Sequence, residues 1–404
     1  MQILTYSTFI ASAFTIASGQ GFDQDSQRID VTWNHQYSAP SNRYYRGPCP
    51  ALNALANHGF ISPKGIASAQ DIIYWSSQIF GMISPDLDNI SIGAPLNGEI
   101  SGTPSIRLKI KPQGLNFPHV GLEHDGSATR LNKNESDSQG NNYDLSIPLF
   151  QQLLDHQKDI PNDQSNFDLK ILADHRFQRL QDSVAYDPLF FLQPFSGLYL
   201  QGHKYAAMTR MFANHSGRYP EGRLDRETLL SFFGVEQIMV QDHTNLTYKR
   251  GSERIPNVWY RRPLDSPYGF KQSNNDLLEM ARYHPELIDT YGMGGNTNGP
   301  DTYEAVTIEK LTGGLYTAET LRDGYNLSCV AIWAAQQLAP VWLDGYYEDA
   351  NATVIPRLLG DFPNLVKELG CGSFNGSIGK EMFEMFPGFV ASLPSNVTSE
   401  VERG

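Results

Sequence analysis

The sequence predicts a large all-α domain with long surface loops. Three features carry that expectation. Apolar residues recur at helical spacing, residues suited to N-capping precede several of the apolar runs, and strand-like alternation is scarce. The 404 residues are 40% hydrophobic, 11% aromatic and 19% charged. Such a chain is too apolar and aromatic for a disordered protein, and it is long enough for one large domain or two ordinary ones.

Taken in order, residues 1–19 carry no charge and end in Ala17-Ser18-Gly19, which reads as a secretory signal peptide before a domain over 20–404. Ser68 precedes Ile72, Ile73, Trp75, Ile79 and Phe80, which fall largely on one helical face. Ser146 opens a segment with Leu149, Phe150, Leu153 and Leu154, and Asp225 opens one with Leu229, Leu230, Phe232 and Phe233. Residues 327–345 read as a buried helix interrupted or ended near Pro340. Stretches 94–121, 132–145, 248–275 and 292–301 are rich in loop-forming residues, and none looks like an interdomain linker. There are no heptads and no repeats of the length that solenoids use.

Charge excludes some partners. With 44 acidic against 31 basic residues the net charge is -13, which repels nucleic-acid phosphates and anionic membranes. No uninterrupted apolar stretch reaches the ~18–20 residues of a spanning helix. Asn-X-Ser/Thr sequons occur at Asn89, Asn134, Asn214, Asn245, Asn326, Asn351, Asn375 and Asn396, more than chance would give, and with the leader they predict a secreted, N-glycosylated protein. Of the 3 cysteines, Cys329 and Cys371 lie close together in the last fifth of the chain and form the natural disulfide pair. Cys49 is left over, which in a secreted protein suggests a chemical role.

Three segments hold candidate chemistry. In RGPCPALNALANHGF (46–60), Cys49 lies between two prolines, and Pro50 suits the first position of a helix. A sulfur there meets free backbone N–H groups and the positive end of the helix dipole, which stabilise a thiolate able to act as nucleophile, redox centre or metal ligand. A buried structural cysteine is the plain alternative. Glu123-His124-Asp125-Gly126-Ser127 gathers hard oxygen donors around one histidine and suits a small divalent cation such as Mg2+, although surface turns of this composition are common. Arg176 to Pro188, followed by an apolar run ending at His203, reads as a basic helix and then an apolar one.

Together these segments resemble the fungal heme-thiolate peroxidases, the family of unspecific peroxygenases and chloroperoxidase, over nearly the whole mature chain. LLSFFGVEQ (229–237), WYRRP (259–263) and the C-terminal cysteine pair fall in family-like order. The resemblance implies heme b with Cys49 as axial ligand, and a magnesium ion held by Glu123, His124 and Ser127 beside a heme propionate. It implies hydrogen peroxide and a small apolar or aromatic molecule as substrates. A thiolate donates electron density to heme iron and favours O–O cleavage. Family members move the peroxide proton with a glutamate. Counting from Asp187-Pro188 without a gap, that position is His203, and the arginine of the longer members falls on Ser196. Imidazole can do this work, and its ordinary pKa of ~6.5 against ~4.3 for glutamate predicts peroxide activation at less acidic pH. Tyr199, one turn earlier, shares a helical face with His203 and is placed to hydrogen-bond it. Leu122 and Ala206 stand where the longer members carry aromatic channel residues, which predicts a wider channel. Three other readings stay open: a halogenating or pathway-specific oxidase of secondary metabolism, a heme-binding secreted glycoprotein with weak turnover, and, least favoured, a cysteine hydrolase.

Overall fold

Short helices and turns open the described part of the chain, and longer helices then carry both of its cores. The computed structural model describes residues 22–67, 69–82, 125–240, 243–343, 362–374 and 377–391. The predicted leader, Ser68, Leu122, Glu123, His124 and the sequons at Asn89, Asn351, Asn375 and Asn396 lie outside these residues.

The helices that matter here are α1 (Gln24–Gln27), α2 (Pro50–Asn57), α3 (Ala69–Phe80), α4 (Ile147–Asp155), α5 (Leu169–Tyr186), α6 (Gln201–Phe212), α7 (Arg226–Phe233), α8 (Phe270–Tyr283) and α11 (Asn326–Leu343); α9 (Glu286–Asp289) and α10 (Ile308–Thr312) are short. The caps follow the sequence signals. Ser146 Oγ accepts from Leu149 N, and Asp225 Oδ1 accepts from Thr228 N at 2.8 Å. Asp168 caps α5 in the same way, its Oδ1 accepting from Ile171 N at 3.0 Å. Gly234 ends α7 with φ 63°, a left-handed conformation that suits glycine.

Strands are few and short. Phe191–Leu192, Gly294–Asn296 and Tyr303–Ala305 form an antiparallel sheet, with Phe191 opposite Gly295. Val235–Val240 and His243–Tyr248 form a hairpin, with Val235 opposite Tyr248. This mostly helical architecture agrees with the predicted all-α class. Among the described residues no helix is long and apolar enough to cross a membrane.

Two apolar cores lie side by side. The first is built on α2, α4, α5, α6 and α7 around Phe150, Phe212 and Trp259. The second gathers the turn before α6, α11 and the C-terminal phenylalanines. Helix α8 ties them together. Arg210 of α6 donates to both oxygens of Asp276 at 3.0 and 2.6 Å, and Asn274 accepts from Ser328 of α11 at 2.7 Å.

Two sequence expectations need correction. Helix α11 is not interrupted at Pro340 and continues through it to Leu343, the last described residue of that segment. A proline inside a helix removes one backbone bond and crowds the preceding turn, and the fully buried apolar face from Leu327 to Ala335 outweighs that cost. The loop expected over 248–275 stops at Gly269, where α8 begins with Gln272 accepting back from the Gly269 N–H.

The predicted disulfide forms between Cys329 of α11 and Cys371, with Cα atoms 5.5 Å apart. Closing a loop over a separation of 42 residues contributes about 4 kcal/mol by chain entropy. Cys371→Ser is expected to lower unfolding stability by about 2–4 kcal/mol in denaturant titration. Ligand absorption should be unchanged, because the bond staples the second core and not the segment around Cys49.

Candidate functional site

Helix α2 is short, and its residues from Ala51 to Asn57 are all buried. Cys49 is its N-cap and Pro50 its first residue, as the sequence predicts. Cys49 is half-buried and belongs to no disulfide. Burial pushes its thiol up from the ordinary value, while the N–H groups of Leu52 and Ala51 and the positive charge of Lys204 pull it down. Desolvation is the larger effect, so the thiol of the free protein is weaker as an acid than an ordinary cysteine, and a cation bound at the sulfur would favour its deprotonation.

Polar residues on α2 fix the loop that presents this sulfur. Asn53 grips Gly47 from both sides: its Oδ1 accepts from Gly47 N at 3.0 Å, and its Nδ2 donates to Gly47 O at 2.7 Å. Asn57, one turn on, accepts from Arg46 Nε and Nη2 at 2.9 and 2.7 Å and donates to the carbonyls of Gly251 and Glu253, both at 2.7 Å. Arg130 donates to Pro48 O at 3.0 Å. Each residue from Arg46 to Pro48 is thus tied down. The two asparagines were visible in sequence as polar residues four apart in an otherwise apolar helix. Their partners near residue 250 were not.

Arg130 follows closely on the acidic motif, so the motif's loop touches the cysteine loop directly. Within the motif, Glu123 and His124 lie outside the described residues. Asp125 is buried and accepts from Phe191 N at 3.1 Å. Its carbonyl accepts from Gln201 Nε2 at 2.6 Å, and the next carbonyl, of Gly126, accepts from Tyr205 OH at 2.8 Å. Ser127 O accepts from Arg179 Nε at 3.1 Å. Among the described residues no group of three or more His, Cys, Asp or Glu is placed to hold a metal ion.

The third segment forms α5 and then a single π-helical turn, Ser196–Leu200, before α6. In that turn Gln201 N–H bonds to Ser196 O, one residue further back than in an α-helix. Arg176 fastens the junction, donating to Gln201 Oε1 at 3.0 Å and to Gly197 O at 2.9 Å. Gly202 lies against the same guanidinium: a Cβ there would sit 2.6 Å from Arg176 Nη1 and would strike Leu277 Cδ2, so a larger residue would have to displace both side chains.

His203 is buried on α6. Its Nδ1 pairs with Ser273 Oγ of α8 at 2.7 Å. The ring is sandwiched between Tyr199 and Tyr268, with centroids 5.6 and 5.8 Å away and planes within 10° and 13° of parallel. Tyr199 does share its face, and it stacks on the imidazole. Burial lowers the pKa of His203 to about 4. Burial thus acts against the shift toward less acidic pH that an ordinary imidazole predicts. Ala206 is fully buried.

The neighbouring Lys204 was missed by the sequence reading. It is half-buried, burial lowers its pKa to about 8, and it lies within electrostatic reach of Cys49, whose charge acts in the opposite sense. Cysteine loop, acidic motif and α6 thus converge: Arg130 joins the first two, Gln201 and Tyr205 the last two, and Lys204 faces back to the sulfur.

An unpaired cysteine at the start of a buried helix, within electrostatic reach of Lys204 on α6, suits a metal centre ligated by sulfur. The family description "Peroxidase, family 2" matches residues 35–264. The chain is 33% identical over 389 residues to the dothistromin biosynthesis peroxidase dotB of Dothistroma septosporum, covering 93% of this chain and 89% of that one. It is 30% identical over 397 residues to the aromatic peroxidase fscJ of Fusarium equiseti, covering 91% and 86%. An aromatic peroxygenase of Cyclocybe aegerita matches at 31% over 206 residues, 46% of this chain and 52% of that one. The chain belongs to this family of fungal heme-thiolate peroxidases and is a peroxide-using oxidoreductase.

Proposed function

We propose that this chain is a secreted heme-thiolate peroxidase or peroxygenase that uses hydrogen peroxide to oxidise small apolar or aromatic molecules, with Cys49 as axial ligand of heme b. The observation that carries the reading is the unpaired cysteine at the start of α2, with every residue from Arg46 to Pro48 tied down and Lys204 of α6 within electrostatic reach. The residues present fit the group: a sulfur that takes iron, peptide N–H groups turned toward it, and no disulfide partner to compete.

Heme supplies the two-electron chemistry between peroxide and substrate, and the protein supplies placement and protons. Cys49 would hold the iron through its sulfur, and the clamp of Asn53, Asn57 and Arg130 holds the loop that presents that sulfur. His203 accepts the proton of the incoming peroxide at Nε2 and returns it to the departing oxygen. Its Nδ1 is engaged by Ser273, which fixes the ring and leaves Nε2 to work. At about 4, its pKa keeps it neutral and able to accept at any pH above that value. A magnesium ion at Glu123, His124 and Ser127 completes the reading as a structural partner of the heme. It is supported by the donor types in the motif and carries no step.

Secretion and glycosylation rest on the leader and the sequons. Asn245 stands exposed on the hairpin, where a glycan meets solvent.

A second reading has its own support. The dothistromin biosynthesis peroxidase matches over nearly the full length of both chains, whereas the aromatic peroxygenase matches over about half. This favours oxidation of one aromatic metabolite in a biosynthetic sequence over unspecific oxygen insertion. Turnover of the heme-loaded protein with 18O-labelled peroxide separates the two. Label in the products of several unrelated aromatics supports a peroxygenase. Oxidation of a narrow set without label supports the pathway enzyme, and no peroxide consumption with any donor rejects both.

A further inference from the structure

Glu253 is fully buried, yet it belongs to none of the three motifs. It lies on the turn after the hairpin whose backbone is held by Asn57 of α2. Its carboxyl takes a hydrogen bond from Asn53, the residue that grips Gly47. Tyr248 OH approaches Oε1 at 3.4 Å, and Oε2 has no hydrogen-bond partner. An acid in that state is costly, so its surroundings must stabilise it. The groups facing it are Arg46 from the cysteine loop, Arg130 from the acidic-motif loop, Tyr248 from the hairpin, Tyr37 from the N-terminal segment, and Cys49 itself.

Charges of both signs surround the sulfur. Arg46 and Arg130 are two buried cations, held against the carbonyls of Tyr45 and Pro48 in the cysteine loop, and Lys204 of α6 is a third cation within reach of Cys49. Alone, they would withdraw electron density from a thiolate at Cys49. Glu253 is an anion set among Arg46 and Arg130, and it acts on Cys49 in the sense opposite to Lys204.

We propose that Glu253 is a positioning residue of the Cys49 site: held by Asn53 and set among Arg46 and Arg130, its carboxyl controls how strongly the sulfur donates to the iron. The inference rests on Cys49 being the axial ligand. Burial raises the carboxyl of Glu253 to about 7. The acid therefore loses its charge as pH falls through neutrality, donation weakens, and the ferrous state gains.

The test is spectroelectrochemical titration of heme-loaded wild type, Glu253→Gln and Glu253→Asp between pH 5.5 and 8.5. At the alkaline end, Glu253→Gln is expected to retain the thiolate spectrum and to shift the ferric–ferrous equilibrium toward ferrous by about tenfold, or ~59 mV for one electron. Wild type is expected to approach the variant's potential as pH falls through 7, and Glu253→Asp to retain that pH step. Coincident curves for wild type and Glu253→Gln overturn the inference. If Glu253→Gln fails to load heme, the other two proteins decide: a potential that is flat across pH in both overturns it. A wild-type protein without a thiolate spectrum rejects the axial-ligand assignment instead, and that outcome is recognised before any variant is compared.

Discussion

Exchanging Cys49 for serine is expected to abolish the red-shifted absorption that the ferrous carbon monoxide complex shows only with a thiolate ligand. The rest of the site should survive. Serine is close in volume, Cys49 is only half-buried, and the loop is held by Asn53 and Arg130 through the backbone of Gly47 and Pro48 and by Asn57 through the Arg46 side chain, none of which the exchange touches. Heme retention with an altered spectrum is therefore the expected result, together with a fall in peroxide turnover at least as large as the ~10²–10⁴-fold that a positioned proton-transfer group is worth. A variant with the wild-type spectrum would remove Cys49 from the iron and with it the proposed function.

His203→Gln is expected to slow reaction with peroxide by ~10²–10⁴-fold while heme absorption is retained. Glutamine fills most of the space between Tyr199 and Tyr268 and can pair with Ser273, but it cannot take up a proton. Wild type should lose activity only as pH falls through about 4, where His203 becomes charged and can no longer accept. An acid limb near 6.5 would show that the imidazole is solvated in the working enzyme. Stopped-flow reaction with peroxide at several pH values reads both effects. If His203→Gln is undiminished and Lys204→Met collapses, the proton carrier is the neighbouring residue, whose charge already reaches Cys49.

What was legible in the sequence was local. Ser146 and Asp225 announce their helices because a cap and the turn it satisfies lie within four residues. Pro50 places Cys49 at a helix start for the same reason. The proline rule misled at Pro340, where a local penalty meets a buried apolar face that only the assembled second core creates. Glu253 carries no local mark at all: its partners Arg46, Asn53 and Arg130 are far away in sequence and meet it only when the hairpin packs beneath α2. The burial that lowers the pKa of His203 leaves no local mark either, because Tyr199, Tyr268 and α8 surround it only in the folded chain. The π turn was invisible too, since its winding is set by Arg176 reaching across from α5 and by the close approach of Gly197 to the Gly292 carbonyl.

That single wide turn has a geometric corollary. Each residue added to or taken from a helix rotates everything beyond it by about 100°. Trimming one residue from Ser196–Leu200 and restoring regular winding would swing imidazole and ammonium around the axis together, taking His203 away from Ser273 and Lys204 away from Cys49. The length of that turn is thus as much a part of the site as the side chains beyond it.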